Sequence, residues 1–259
     1  MSQTSISPPR AVIFDAYGTL FDVHSVMAAA EQLFPGHGDA LSQLWRQKQI
    51  EYTQLRTLSD PAGARYEPFW AITLDALRFA ATRLKLEHAL TPAAEKRLMD
   101  EYACLAAFPD TVAALKRLRK RGDLTLAILS NGNPQMLDIA VKSAGVSGLF
   151  DYVLSVDAVR AYKPAPAAYT LGTQAIGVAA SEIVFVSSNG WDVTGATWFG
   201  YTTFWLNRMA MPAEQLGVLP RGTGRDMADL LAFIDAGCPP HKHTTPFDLS
   251  NRMRRNPGG

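Results

Sequence analysis

Cysteine is almost missing: Cys104 and Cys238 are the only two in 259 residues, and they lie far apart. That scarcity argues against a disulfide framework and against a cysteine-built metal site, and it predicts a reducing compartment. An excess of charge of one sign is missing as well, since 25 basic and 24 acidic side chains leave a formal net charge of +1. Nothing in that balance predicts nucleic acid or an anionic membrane surface as a partner. No apolar run approaches the length that spans a bilayer. The opening "MSQTSISPPR" lacks the apolar core of a signal peptide, so a cytoplasmic location is expected. Internal repeats and low-complexity tracts are absent too.

What the chain does have is an ordinary globular balance, 47% hydrophobic and 19% charged, enough to bury a large core. Five short apolar runs rich in β-formers stand out: "AVIFD" (11–15), "LTLAILS" (124–130), "YVLSV" (152–156), "IVFVSS" (183–188) and "TTFWLN" (202–207). Segments with helical spacing lie between most of them, among them "DTVAALKRLRKRG", "PQMLDIAVKSAGV" and "PAAYTLGTQAIGV". Alternating strand and helix predicts an α/β fold, a parallel sheet with helices on both faces. Right-handed crossovers then bring every strand's C-terminal end to one edge, where ligands bind.

One connection breaks this rhythm. Residues 24–107 hold no strand pattern but four helical ones, punctuated by Pro35-Gly36, Ser59-Asp60-Pro61-Ala62-Gly63 and Thr91-Pro92. A loop that long is implausible in a compact domain, whereas an inserted helical cap subdomain is natural. The expected layout is a disordered N-terminus (1–9), a core domain (10–23 and 108–237), the cap (24–107) and a flexible C-terminal tail (238–259).

The strand ends carry polar residues that converge on the predicted binding edge. The first supplies Asp15, Tyr17 and Thr19, and the second Ser130, Asn131, Gly132 and Asn133. A loop after the third carries Lys163, and the fourth leads into Ser187, Ser188, Asn189, Trp191 and Asp192. Each has a plainer explanation alone. Asp15 could cap a turn, Lys163 and Arg46 could be surface residues, Phe69 could be core, and Asp192 could start a helix. Four groups converging on one edge are harder to dismiss.

In order and spacing, "FDAYGTL", "LSNGN", "YKP" and "SSNGWD" resemble the four motifs of the haloacid dehalogenase superfamily, whose core is Rossmann-like. "DAYGTLFDVHSV", "LWRQKQIEYT" and "FVSSNGWDVTGA" further resemble its type II L-2-haloacid dehalogenases. The likeness covers roughly residues 10 to 235. It implies hydrolytic dehalogenation of short (S)-2-haloalkanoic acids to (R)-2-hydroxy acids and halide, without cofactor or metal, in a homodimer. Asp15 is then the nucleophile that forms an aspartyl ester. Thr19 orients it, Lys163 keeps it ionised, Asp192 helps activate water, and Ser187 and Asn189 hold these groups by hydrogen bonds. Substrate contacts fall to Arg46 and Asn131 for halide, and to Ser130 and Gly132 for the carboxylate at a helix N-terminus. Tyr17, Phe69 and Trp191 form an apolar wall.

A last absence sets the expected reaction. Phosphatases of the superfamily carry a second Asp two residues after the nucleophile and more acid near the fourth strand for Mg²⁺. Here Tyr17 and Ser187-Ser188-Asn189 stand at those places. Halide leaves without a proton, so the missing acid suits carbon–halogen cleavage. The alternatives are a phosphomonoester hydrolase, carbon–phosphorus cleavage through a Schiff base on Lys48 or Lys85, and a non-enzymatic binding protein.

Overall fold

The computed structural model describes residues 8–239; the stretches 1–7 and 240–259, expected to be flexible, lie outside the described residues. All five expected strands form: β1 (Ala11–Phe14), β2 (Thr125–Ser130), β3 (Tyr152–Ser155), β4 (Ile183–Ser187) and β5 (Thr202–Leu206). A sixth, β6 (Gly222–Gly224), completes one sheet in the order β3-β2-β1-β4-β5-β6, with every pairing parallel. β1 is therefore central, and its alternate residues feed two cores. Val12 and Phe14 enter the larger one, while Ala11 and Ile13 pack with Tyr169, Phe185 and Tyr201 on the other face.

Helices α1 (His24–Leu33), α2 (Gly38–Ser59), α3 (Phe69–Arg83) and α4 (Pro92–Ala103) follow β1 directly. α2 packs on α1 and α3, and α1 packs on α4. Trp45 Nε1 and Gln49 Nε2 on α2 donate to the carbonyl and the hydroxyl of Thr73 on α3, each at 2.7 Å. Buried polar side chains thus find partners across the helix pair. Pro92 opens α4 behind Thr91, whose hydroxyl accepts from the Ala94 N–H at 3.2 Å. The chain enters and leaves this block side by side: the Asp22 N–H donates to Ala106 O at 2.8 Å and the Phe108 N–H to Leu20 O at 3.0 Å.

The remaining helices cover the sheet: α5 (Thr111–Arg121), α6 (Pro134–Ser143), α7 (Pro166–Ile176), α8 (Gly190–Phe199) and α9 (Met227–Asp235). Among the described residues no helix is long and apolar enough to cross a membrane. Two details depart from expectation. β3 is an edge strand whose Tyr152 and Val153 stay exposed, so it lacks the two-sided cover of its neighbours. Cys238, assigned to the flexible tail, is buried, and its N–H donates to Phe233 O at 2.9 Å.

Candidate active site

Because every strand runs the same way, the residues after β1, β2 and β4 meet at one edge. The Asp15 N–H still donates to Val186 O at 2.9 Å, so the sheet ladder itself holds the backbone of the carboxylate. The chain then turns through Gly18, whose φ of +83° a side chain would strain. That turn swings Thr19 back beneath Asp15. Its hydroxyl donates to Asp15 Oδ2 at 2.8 Å and accepts from the Ser188 N–H at 2.8 Å, which fixes its direction. Oδ2 also accepts from Asn189 Nδ2 at 2.9 Å and from Ser187 Oγ at 3.4 Å.

Oδ1 accepts from Lys163 Nζ at 3.2 Å, and the same ammonium donates to Asp192 Oδ2 at 3.0 Å. Lys163 and Asp192 are 1% and 0% exposed. An isolated buried charge is very costly, so burial alone would lower the lysine pKa. The charges of Asp15 and Asp192 outweigh it and hold the ammonium above its ordinary value. Burial, aided by the charge of Asp15, pushes Asp192 up to about 6 against the pull of Lys163 and the Tyr169 hydroxyl.

Tyr169 donates to Asp192 Oδ1 at 2.8 Å, so both oxygens of that carboxylate are engaged. Sequence inspection missed it. Six residues past Lys163 on α7, it reads as an ordinary core aromatic, and only the fold aims its hydroxyl at Asp192. Burial, then the charge of Asp192, raises the Tyr169 phenol well above its usual pKa, so it keeps its proton and donates.

In front of Asp15 lies a tight cavity of about 20 Å³ lined by Tyr17, Arg46, Ile50, Thr53, Phe69, Ser130, Asn131, Asn189 and Trp191. Arg46 reaches across from α2, donating to Asn189 Oδ1 at 3.2 Å and to Gln49 Oε1 at 3.0 Å. Tyr17 stacks on Tyr102 of α4 with ring centres 5.4 Å apart and lies 6.1 Å from the ring of Phe69. Asn131 Oδ1 accepts from the Lys163 N–H at 3.0 Å, which leaves its Nδ2 as the free donor. Neither Gln49 nor Tyr102 was singled out in the sequence, since nothing local marks a helix residue that meets a partner dozens of positions away.

Gly132 departs from its expected part. Its N–H is not free, because it donates to Ser130 Oγ at 3.0 Å. Its missing side chain has a different consequence: a Cβ there would stand 2.8 Å from Cε2 of Tyr17. Gly132 thus makes room for the Tyr17 ring, and the Ser130 O–H stays available as a donor.

A divalent cation does not fit this donor set. Mg²⁺ takes oxygen ligands with carboxylates among them; here only Asp15 offers a carboxylate to the cavity, and Asp192 is buried behind Lys163 with both oxygens engaged. Among the described residues no group of three or more His, Cys, Asp or Glu side chains is arranged to hold a metal.

Comparison with known proteins agrees with this architecture. Residues 9–200 match the family model described as haloacid dehalogenase-like hydrolase. An (S)-2-haloacid dehalogenase from Pseudomonas sp. (strain YL) is 48% identical over 211 residues, covering 82% of this chain and 88% of its own. The solved structure of an L-2-haloacid dehalogenase superposes with a TM-score of 0.86 at 63% identity, covering 88% of this chain and 100% of that one. The L-2-haloacid dehalogenase of Xanthobacter autotrophicus with chloropropionic acid covalently bound superposes with a TM-score of 0.78 at 37% identity, covering 88% and 98%.

Proposed function

The chain belongs to the haloacid dehalogenase-like hydrolases, and from that premise we propose that it hydrolyses short (S)-2-haloalkanoic acids to (R)-2-hydroxy acids and halide. One observation carries the proposal. A lone carboxylate faces a small cavity walled by a guanidinium, two amides and aromatic rings, with Tyr17 where a phosphatase keeps its acid. The cavity is small and tightly lined by the inserted helices and the strand ends, which favours a short acid over a bulky ester.

Three donors converge on Asp15 Oδ2, leaving Oδ1 the freer oxygen for attack. It displaces halide from behind C2, inverting that carbon and forming an ester. Arg46 and the free Nδ2 of Asn131 stabilise the departing halide, while the Ser130 hydroxyl donates to the substrate carboxylate. Esterification removes the charge that Asp15 shared with Lys163. Asp192 then receives a proton from the water that attacks Cγ of Asp15. Collapse of the adduct passes that proton from Asp192 to the departing alkoxide, so the hydroxy acid leaves with its C2–O bond intact, and Asp15 ionises again by releasing the second proton of the water to solvent. No step needs a divalent cation. Residues 24–107 serve as the cap that closes the cavity, and the exposed Leu55 and Leu58 of α2 are the face we assign to the expected homodimer.

Halide release from each enantiomer of 2-chloropropionate, with and without EDTA, tests the proposal. The expected result is release from the (S) form alone, unchanged by EDTA, with (R)-lactate as product and none from Asp15→Asn. Equal turnover of both enantiomers, or Mg²⁺-dependent phosphate release instead, would sink it.

A further inference from the structure

Lys163 must hold one ammonium against two carboxylates, yet its backbone lies in the irregular segment between β3 and α7. Neither a strand ladder nor a helix fixes it there. What grips it comes largely from the inserted helices. The N–H of the preceding residue, Tyr162, donates to Thr57 Oγ1 at 3.0 Å, and the Tyr162 hydroxyl donates to Glu67 O at 2.5 Å. The Tyr162 ring, fully buried, stacks on Tyr66 with centres 4.8 Å apart and planes 24° apart. Tyr66 in turn donates its hydroxyl to Asp157 Oδ1, back on the segment that leads to Lys163. Burial, then Tyr162 and Asp157, raises the Tyr66 phenol far above its usual pKa, so it stays a donor. Arg160 completes the contact, with Nε donating to Gly63 O at 3.1 Å and its guanidinium 5.5 Å from the centre of the Tyr66 ring.

We propose that Tyr66 is a positioning residue: by its stack on Tyr162 and its hydrogen bond to Asp157, it couples docking of the inserted helices to placement of Lys163 against Asp15. The residues that hold Tyr162 on the far side, Thr57, Tyr66 and Glu67, all belong to the end of α2 or the loop before α3. On the near side the core holds the Lys163 N–H through Asn131 Oδ1. With the clasp open, the segment loses its tie from Asp157 to the inserted helices, and the ammonium loses its fixed distance to the nucleophile. Neither Tyr66 nor Asp157 lines the cavity in front of Asp15, so the effect belongs to turnover. The inference rests on the dehalogenase reading.

Steady-state halide release from (S)-2-chloropropionate tests it with Tyr66→Phe, Asp157→Ala, the double variant and Asp157→Asn. Tyr66→Phe keeps the stack and loses the donor; Asp157→Asn keeps an acceptor. We expect Tyr66→Phe and Asp157→Ala each to lower kcat about tenfold, with KM within about twofold of wild type. The double variant should be no slower than the worse single one, and Asp157→Asn should be close to wild type. Circular dichroism and Tm establish that each variant is folded, and if Tyr66→Phe does not fold, Asp157→Ala against Asp157→Asn carries the test. The clasp is overturned if folded single variants keep wild-type kcat, if the loss falls on KM, or if the two losses multiply. A wild type that releases no halide overturns the dehalogenase reading itself, a result distinct from all of these.

Discussion

Behind Asp15, Lys163 and both oxygens of Asp192 are hydrogen-bonded and shut away from solvent. In front, the Tyr17 hydroxyl and Trp191 Nε1 are buried with no hydrogen-bond partner among the described residues. The two walls flank Asp15 and follow opposite rules. A buried polar atom without a partner costs stability, so such atoms are rare and call for a reason. The saturated wall commits every donor to fixing where charge sits, which is what a nucleophile in a dry site requires. The unsaturated wall keeps donors uncommitted, which is what a site that must exchange one small anion for another requires. Preorganisation and recognition thus fall on opposite sides of the same elements: α8 turns Asp192 to the saturated wall and Trp191 to the other, and the turn after β1 supplies both Asp15 and Tyr17.

Lys163→Met breaks the saturated wall most severely. Removing the ammonium leaves two buried carboxylates facing each other, a change that costs about 3–5 kcal/mol when one partner of a buried pair is lost. Halide release should fall by at least about a thousandfold, and Tm at pH 7 should drop. The sign of its pH dependence follows from burial. Without the pull of the lysine, buried Asp192 titrates still further above its unfolded value, so the native state binds more protons and stability should return as pH falls toward about 4. Melting curves across pH 4–8 check this, and a variant that melts like wild type at pH 7 would remove the lysine from its central place.

Tyr169→Phe breaks one bond in the same wall. Asp192, raised to about 6 while Asp15 is ionised, must itself be ionised to accept a proton, and the ester removes one of the charges that raise it, so turnover should fall in acid at or below that value. The Tyr169 hydroxyl helps hold that pKa down, and removing it should move the acid limb of the kcat profile upward, with a loss of about tenfold at neutral pH. An acid limb that stays in place would show that another group sets it. On the alkaline side Lys163 keeps its charge past the ordinary lysine value, so activity should persist into strongly alkaline buffer.

The unsaturated wall gives the smallest effect. Trp191→Phe keeps an aromatic surface and removes the uncommitted N–H, so KM should rise a few-fold, about 1 kcal/mol or less, with kcat nearly unchanged. Steady-state kinetics with 2-chloropropionate separate the two parameters.

How much of this was visible in the chain follows local context and not the division between the walls. Asp15, Thr19, Lys163, Ser187, Asn189 and Asp192 sit at strand ends or in short motifs, where a polar residue after an apolar run is a local signal. Parallel topology then brings them together without further information. Tyr169, Gln49 and Tyr102 gave no such signal, because an aromatic or amide on an amphipathic helix looks like core or surface until its partner is known. Gly132 looked like part of an anion site because glycine after a strand commonly is; its clearance for the Tyr17 ring depends on packing between distant segments. β6 escaped for a simpler reason, being three residues long with two glycines, too short and too poor in β-formers to stand out. Its partner helix α9 went unnoticed with it.

The central claim is that Asp15, and not a water molecule, attacks the carbon. A single turnover of excess enzyme with (S)-2-chloropropionate in ¹⁸O-water tests this directly, reading the isotope in lactate and in the peptide that contains Asp15 by mass spectrometry. Attack by Asp15 gives unlabelled lactate from the first turnover and one ¹⁸O atom in the Asp15 carboxylate. Labelled lactate with an unlabelled Asp15 peptide would contradict it.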